Sequence, residues 1–229
     1  DRQVVSVRLN RAKIQIEEEI GATAPHGLSF PLADRIPWAS NGFYLSERPS
    51  FTLDPLFHAG AYYVQEASGM FVEHALRNTV DLSSRLKILD LCAAPGGKST
   101  LIQSLMSKES LLLSNEVIKA RVPVLHQNMS KWGLMNGMIS NNDPKDFKRL
   151  PGYFDVLMVD APCSGSGLFR KDPAALKEWT EEGVRLCSLR QQRILADAWD
   201  CLNENGVLIY STCSYSTEEN EDIIDCLLN

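Results

Sequence analysis

Over about 140 residues the apolar pattern of this chain switches between short continuous runs and stripes spaced three or four apart. Lys87 to Cys92, Leu111 to Asn115, Gly137 to Asn141, Phe154 to Asp160 and Gly206 to Tyr210 read as strands. Between and after them, Lys98 to Met106, Ile118 to Trp132, Leu186 to Leu202 and Glu218 to Leu228 read as helices. Such alternation leaves few folds open. Parallel strands need long crossovers, the crossovers are right-handed, and their helices cover both faces of the sheet. The expected fold is therefore α/β, a doubly wound Rossmann-like sheet in which the first strand is central and the fourth and fifth are neighbours. Pro123 lies inside the Ile118 to Trp132 stripe and is compatible with a helix only in its first turn.

The first part of the chain follows a different pattern. Val4 to Leu9 alternates like a strand, and Lys13 to Ile20 resembles a short amphipathic helix. Gly21 to Pro55 is broken by five prolines, with aromatics such as Phe30, Trp38, Phe43 and Phe51 among them, and reads as a packed linker. Val64, Ala67, Phe71 and Ala75 then suggest a helix leading into the main unit. The expected division is a small α+β segment and linker over 1–57 and a catalytic domain over 58–229. A chain of 229 residues, 44% of them hydrophobic, can build such a core without covalent staples. Its apolar runs, such as Val156 to Val159, are far shorter than the roughly 20 residues of a membrane span. No secretory pattern opens the chain, and Asp1 in place of Met suggests a trimmed start, so a cytoplasmic protein is expected. Six cysteines without any C-x-x-C spacing point to reduced thiols and no metal site. A monomer is expected.

The net charge of −6 is unevenly spread. Residues 1–85 carry 8 basic and 10 acidic groups, residues 86–150 carry 9 and 5, and residues 151–229 carry 6 and 14. A basic middle permits local phosphate contact, although most of these side chains read as solvated helix and loop surface.

In a doubly wound sheet the ligand lies beyond the carboxyl ends of the strands, so the strand tips carry the chemistry. The first tip runs Asp90-Leu91-Cys92-Ala93-Ala94-Pro95-Gly96-Gly97-Lys98-Ser99-Thr100, a turn of small residues into a helix, where backbone N–H groups can meet an anion. It lacks the three glycines of a dinucleotide fingerprint. It comes close to a P-loop, with Cys92 where the first glycine belongs and Asp155 to Asp160 as a possible metal-binding strand. Glu116, at the second tip and 19 residues beyond Gly97, is placed to take ribose hydroxyls, and Asp143, at the third, to accept from an adenine amino group. The fourth and fifth tips read Asp160-Ala161-Pro162-Cys163-Ser164-Gly165-Ser166-Gly167 and Ser211-Thr212-Cys213-Ser214. Neighbouring strands would bring the two thiols within roughly 5 Å, as a nucleophile with a helper or as a redox pair.

Together these segments resemble the signature segments of the RNA cytosine-5 methyltransferases of the NOP2/Sun (Fmu) family. Pro49-Ser50-Phe51, Gln65-Glu66-Ala67-Ser68 and Arg170-Lys171-Asp172-Pro173 match as well, so the resemblance spans nearly the whole chain. It is most similar to the bacterial branch that modifies small-subunit ribosomal RNA. The resemblance implies S-adenosyl-L-methionine as methyl donor and an RNA substrate, ribosomal RNA first and transfer RNA as the alternative. It implies that Cys213 attacks carbon 6 of cytosine, that Cys163 assists product release, and that Asp160 hydrogen-bonds the ring edge. Cys92, Ala93, Ala94, Pro95, Gly96, Gly97 and Lys98 would cradle the methionine end of the cofactor, with Asp160 beside them, Glu116 on the ribose and Asp143 on the adenine. The rival readings are a P-loop-like nucleotide-binding ATPase and a non-catalytic RNA-binding module. Family members close the sheet with an antiparallel hairpin, and the similar bacterial proteins add a C-terminal RNA-binding domain. The chain stops at Asn229 before either, which implies a fragment with poor RNA affinity.

Overall fold

A computed structural model describes residues 4–15, 27–133, 135–169, 171–172 and 174–228. In chain order its strands are β1 (Val5–Leu9), β2 (Gly42–Leu45), β3 (Tyr62–Val64), β4 (Lys87–Asp90), β5 (Leu111–Asn115), β6 (Gly137–Ser140), β7 (Phe154–Asp160) and β8 (Leu202–Ser211). The α-helices are α1 (Pro55–His58), α2 (Phe71–Thr79), α3 (Gly97–Leu105), α4 (Val122–Trp132), α5 (Ala175–Glu178), α6 (Glu181–Ala198) and α7 (Glu221–Leu228).

Five strands form one parallel sheet in the order β6-β5-β4-β7-β8. This is the predicted doubly wound arrangement, with the first strand of the unit central and the last two adjacent. The central strands are apolar on both sides because both faces are covered. Along β7, Val156 and Met158 join a core with Leu101, Ile102, Leu125 and Met129 on one face. Leu157 and Val159, pointing the opposite way, pack with Ile194, Leu195, Ala198 and Ile223 on the other. Pro123 sits in the first turn of α4, where its missing N–H costs nothing. Thr180 caps α6 by accepting from the Gly183 N–H at 3.0 Å, so that helix starts before the predicted Leu186 and releases Leu202 to β8. No helix among the described residues is long and apolar enough to cross a membrane.

The N-terminal part holds an antiparallel sheet in the order β2-β1-β3. Two local expectations fail there. The segment read as linker contains β2, four residues held by pairing to β1 rather than by any pattern of their own. Val64, assigned to a helical stripe, instead ends β3 (Tyr62–Val64), so this sheet continues past residue 57. The helix that follows buries Val72, Glu73 and Leu76 and leaves Phe71 exposed. Long-range pairing outweighed a short helical spacing. Arg11 to Lys13 forms a turn, and the remainder of the helix expected up to Ile20, from Ile16 on, lies outside the described residues, as do Arg170 and Pro173.

Arg8 of β1 joins the two parts. Its side chain is fully buried, with the guanidinium 4.2 Å over the Trp132 ring. It donates to Gln65 Oε1 (2.9 Å), Thr100 Oγ1 (2.6 Å) and the Gly97 carbonyl (3.2 Å), the last two in the first turns of α3. Burial pushes its pKa down to about 9.

Candidate functional site

Asp90, Glu116, Asp143, Asp160 and Ser211 all stand at or just beyond the carboxyl ends of β4 to β8, so the predicted residues lie along one edge of the sheet. The first loop turns from Asp90 into α3 within a few residues. Gly96 adopts φ +107°, a left-handed conformation only glycine takes freely, and a Cβ there would stand 3.2 Å from Leu125. Asp90 is fully buried. Its Oδ2 accepts from Ser99 Oγ at 2.6 Å, while Oδ1 has no hydrogen-bond partner. Burial raises this carboxyl to about 7 against the pull of Ser99, with nearby Asp160 adding to the rise. Burial likewise pushes the Cys92 thiol upward, which makes it a packing residue of the loop rather than a nucleophile.

Glu116 is buried at the second tip. Its Oε1 accepts from the Ile118 N–H at 2.8 Å, whereas Oε2 lies 3.4 Å from Arg121 without a hydrogen bond. Arg121 also donates to the Ala94 carbonyl at 2.6 Å, linking the first and second tips. Asp143 has both oxygens engaged, Oδ1 with the Lys145 N–H and Oδ2 with Arg193. It caps the turn that follows it, so any contact it makes with a ligand must compete with that role.

The two cysteine tips converge as expected. Asp160 of β7 is in register with Ser211 of β8, and Cys163 Sγ lies 3.0 Å from Cys213 Sγ. Both thiols are free, since a disulfide would bring the sulfurs to about 2.05 Å. The hydrogen bond between them lowers one ionisation and raises the other. Across this contact Cys163 comes down to about 7 and Cys213 goes up. These values belong to the pair, which gives up its first proton near neutral pH and holds the second. Beside it, Asp160 Oδ2 lies 2.7 Å from Lys98 Nζ and Oδ1 accepts from Ser211 Oγ at 2.7 Å. The lysine of the P-loop-like turn thus faces the cysteines' side of the sheet edge. Gly167 donates its N–H to the Cys213 carbonyl at 2.7 Å, and a Cβ at Gly167 would stand 2.4 Å from that oxygen, so this close approach of the loops needs glycine.

Sequence reasoning missed Glu219, which is fully buried behind the pair. Its Oε1 accepts from the Ser164 N–H (2.8 Å) and Gln191 Nε2 (3.1 Å). Its Oε2 accepts from the hydroxyls of Ser164, Ser214 and Ser216. Burial pushes this carboxyl up, and the serine hydrogen bonds outweigh it and hold it below the usual range. In sequence Glu219 sits among Glu218, Glu221 and Asp222 and looks like part of a solvated acidic run. The available signal was the density of serines around both cysteines.

Residues 78–229 match the family model described as 16S rRNA methyltransferase RsmB/F, and residues 1–67 match the N-terminal domain of 16S rRNA methyltransferase RsmF. The chain belongs to the RsmB/F methyltransferase family. It is 37% identical over 225 residues to ribosomal RNA small subunit methyltransferase F of Pectobacterium atrosepticum, covering 95% of this chain and 45% of that protein. The protein of the same name from Escherichia coli K12 is 38% identical over 224 residues, covering 95% and 46%. The chain thus spans about half the length of these curated relatives. A methyltransferase homologue from Pyrococcus horikoshii superposes with a TM-score of 0.80 at 31% identity, over all of this chain and 70% of that one. Membership in a methyltransferase family speaks against the P-loop ATPase reading.

Proposed function

We propose that this chain forms the cofactor-binding and catalytic part of an enzyme that methylates carbon 5 of a cytosine in small-subunit ribosomal RNA, with S-adenosyl-L-methionine as donor and a covalent bond between Cys213 and carbon 6. The observation that carries the reading is the pair of free thiols 3.0 Å apart at the ends of adjacent parallel strands, beside the Asp160–Lys98 ion pair. The first two tips suit the donor. Small residues leave the backbone of 92–97 approachable, and Glu116 Oε2 is a buried acceptor without a hydrogen bond, as a ribose hydroxyl would require. When bound, the cofactor supplies an electrophilic methyl group.

Carbon 5 of cytosine is a poor nucleophile until carbon 6 is attacked. Once the pair's proton shifts from Cys213 to Cys163 across their hydrogen bond, the Cys213 thiolate adds to carbon 6 and its electron pair forms the new S–C bond. The displaced ring electrons make carbon 5 enamine-like, while Lys98 faces the negative charge that develops on the ring and Asp160 accepts a hydrogen bond from its amino edge. After methyl transfer to carbon 5, a base removes the carbon 5 proton, the C–H electrons restore the ring double bond, and the S–C bond breaks with return of the Cys213 thiolate. Cys163, in contact with that sulfur, assists this elimination.

The test separates the cysteines. Incubated with small-subunit ribosomal RNA and cofactor, Cys163→Ala should accumulate protein covalently joined to RNA, seen as a slow band on a denaturing gel. Cys213→Ala and the double variant should give none. A band from Cys213→Ala would exchange the two roles, and no band from either single variant would overturn the covalent mechanism. Transfer RNA as sole substrate gives the competing specificity if it forms the band and ribosomal RNA does not.

A further inference from the structure

We propose that Glu219 is the positioning residue of the cysteine pair, a buried carboxylate that clamps the Cys163 loop to the Cys213 loop and so holds the two sulfurs in contact. Five donors converge on its two oxygens. The N–H and hydroxyl of Ser164 come from the loop after β7, next to Cys163. The hydroxyls of Ser214 and Ser216 come from the loop after β8, next to Cys213. Gln191 Nε2 comes from α6 and also donates to the Pro162 carbonyl at 3.0 Å. No other side chain among the described residues bonds to the neighbours of both cysteines through a charge. Hydrogen bonds to an ionised acceptor are about twice as strong as neutral ones, and they are strongest where water is excluded, as at this site. Asn220, next in sequence, braces the same loop: its Nδ2 donates to the carbonyls of Ser214 and Ser216, and its Oδ1 accepts from Thr212 Oγ1.

The clamp has an electrical side that opposes its geometric one. Glu219 is a negative charge near Cys163, so by charge alone it disfavours a thiolate. By geometry it maintains the sulfur–sulfur hydrogen bond, the largest influence lowering the Cys163 thiol. Other groups face the pair from each surrounding element: Asp160 of β7 with Lys98 of α3, Cys187 of α6, itself near Arg190, and Tyr210 of β8. All remain when Glu219 alone is changed, so the sign of the response separates clamp from charge.

The importance of the pair rests on the reaction proposed above, but the clamp can be tested without it. The rate of iodoacetamide alkylation at Cys163 and Cys213, mapped by peptide mass spectrometry from pH 5.5 to 9.5, reports the thiolate directly. In Glu219→Ala the loops stay joined through the Gly167 N–H to the Cys213 carbonyl, while the sulfurs lose their enforced contact. The lower midpoint should move up from about 7 toward the roughly 8.5 of an isolated cysteine, a roughly fifteenfold loss of alkylation rate at pH 7. Glu219→Gln keeps the reach and removes the charge, and should restore the low midpoint. A downward shift in Glu219→Ala would mean that the residue acts only as a charge. An unchanged midpoint with a lowered Tm would mean ordinary structural support. Either result overturns the proposal. If Glu219→Ala does not fold, Ser164→Ala, which removes one arm of the clamp, must show a smaller shift in the same upward direction, and no shift there overturns it too. Wild-type protein with the low midpoint but no methyl transfer to RNA would count against the proposed reaction and leave the clamp standing.

Discussion

Replacing Asp90 with Asn should make the chain more stable at neutral pH and leave it nearly unchanged in acid. Asp90 is fully buried at the end of the central strand, with one oxygen bonded to Ser99 and the other bare. Its carboxyl is raised from 3.8 to about 7 in the folded chain, chiefly by burial. The folded state therefore holds this proton between about pH 4 and 7 while the unfolded state releases it, and stability falls as pH rises through that window. Below the window both states are protonated, and above it both are ionised, so the full cost is present from neutral pH upward. Three pKa units at about 1.4 kcal/mol each give on the order of 4 kcal/mol. Asn keeps an acceptor for Ser99 and never ionises. Urea unfolding of the two proteins at pH 4, 5, 6, 7 and 8 would show the advantage of Asp90→Asn growing from pH 4 and levelling near pH 7. A constant offset of about 1 kcal/mol, from the new amide donor, is compatible with the reasoning. A difference that is flat across the window, or that grows toward acid, would refute it.

Two other outcomes follow from the site and the core. Glu116→Ala should weaken S-adenosyl-L-methionine binding by about 1.5–3 kcal/mol, the range for a hydrogen bond to a charged group, as measured by titration calorimetry. Unchanged affinity would remove Glu116 from the donor site. Leu157→Ala, in the sheet face packed against α6 and α7, should cost about 2–5 kcal/mol in denaturant unfolding without changing the urea dependence, and a loss below 1 kcal/mol would show that this face repacks.

The main sheet was legible because each of its elements declares itself locally. The β7 run is apolar on both faces, and the α4 stripe carries its proline where a helix can start. The cysteine pair was legible for the same reason, since strand order alone brings two strand ends together. What escaped is what depends on distant partners. Three-residue β3 and four-residue β2 exist because β1 pairs with both, and no short window contains that information. Glu219 draws donors from serines 55 residues away and five and three residues before it, so its acidic neighbours misled more than they informed. Arg8 occupied an ordinary polar position of an alternating strand, and only the assembled molecule reveals it as a buried cation.

Arg8 also bears on the order in which a growing chain can finish folding. The small sheet is made first, yet the acceptors that satisfy its central cation at Gly97 and Thr100 are 89 and 92 residues further along. Until that stretch and Trp132 are made, the face of β1 that carries Arg8 has nothing to bury it, and the guanidinium stays in water. The small sheet can pair early, but its Arg8 face is completed only with the first turns of α3 and with Trp132. The same contacts tie the Gly97 carbonyl to β1, so the small sheet and the turn that enters α3 are completed together.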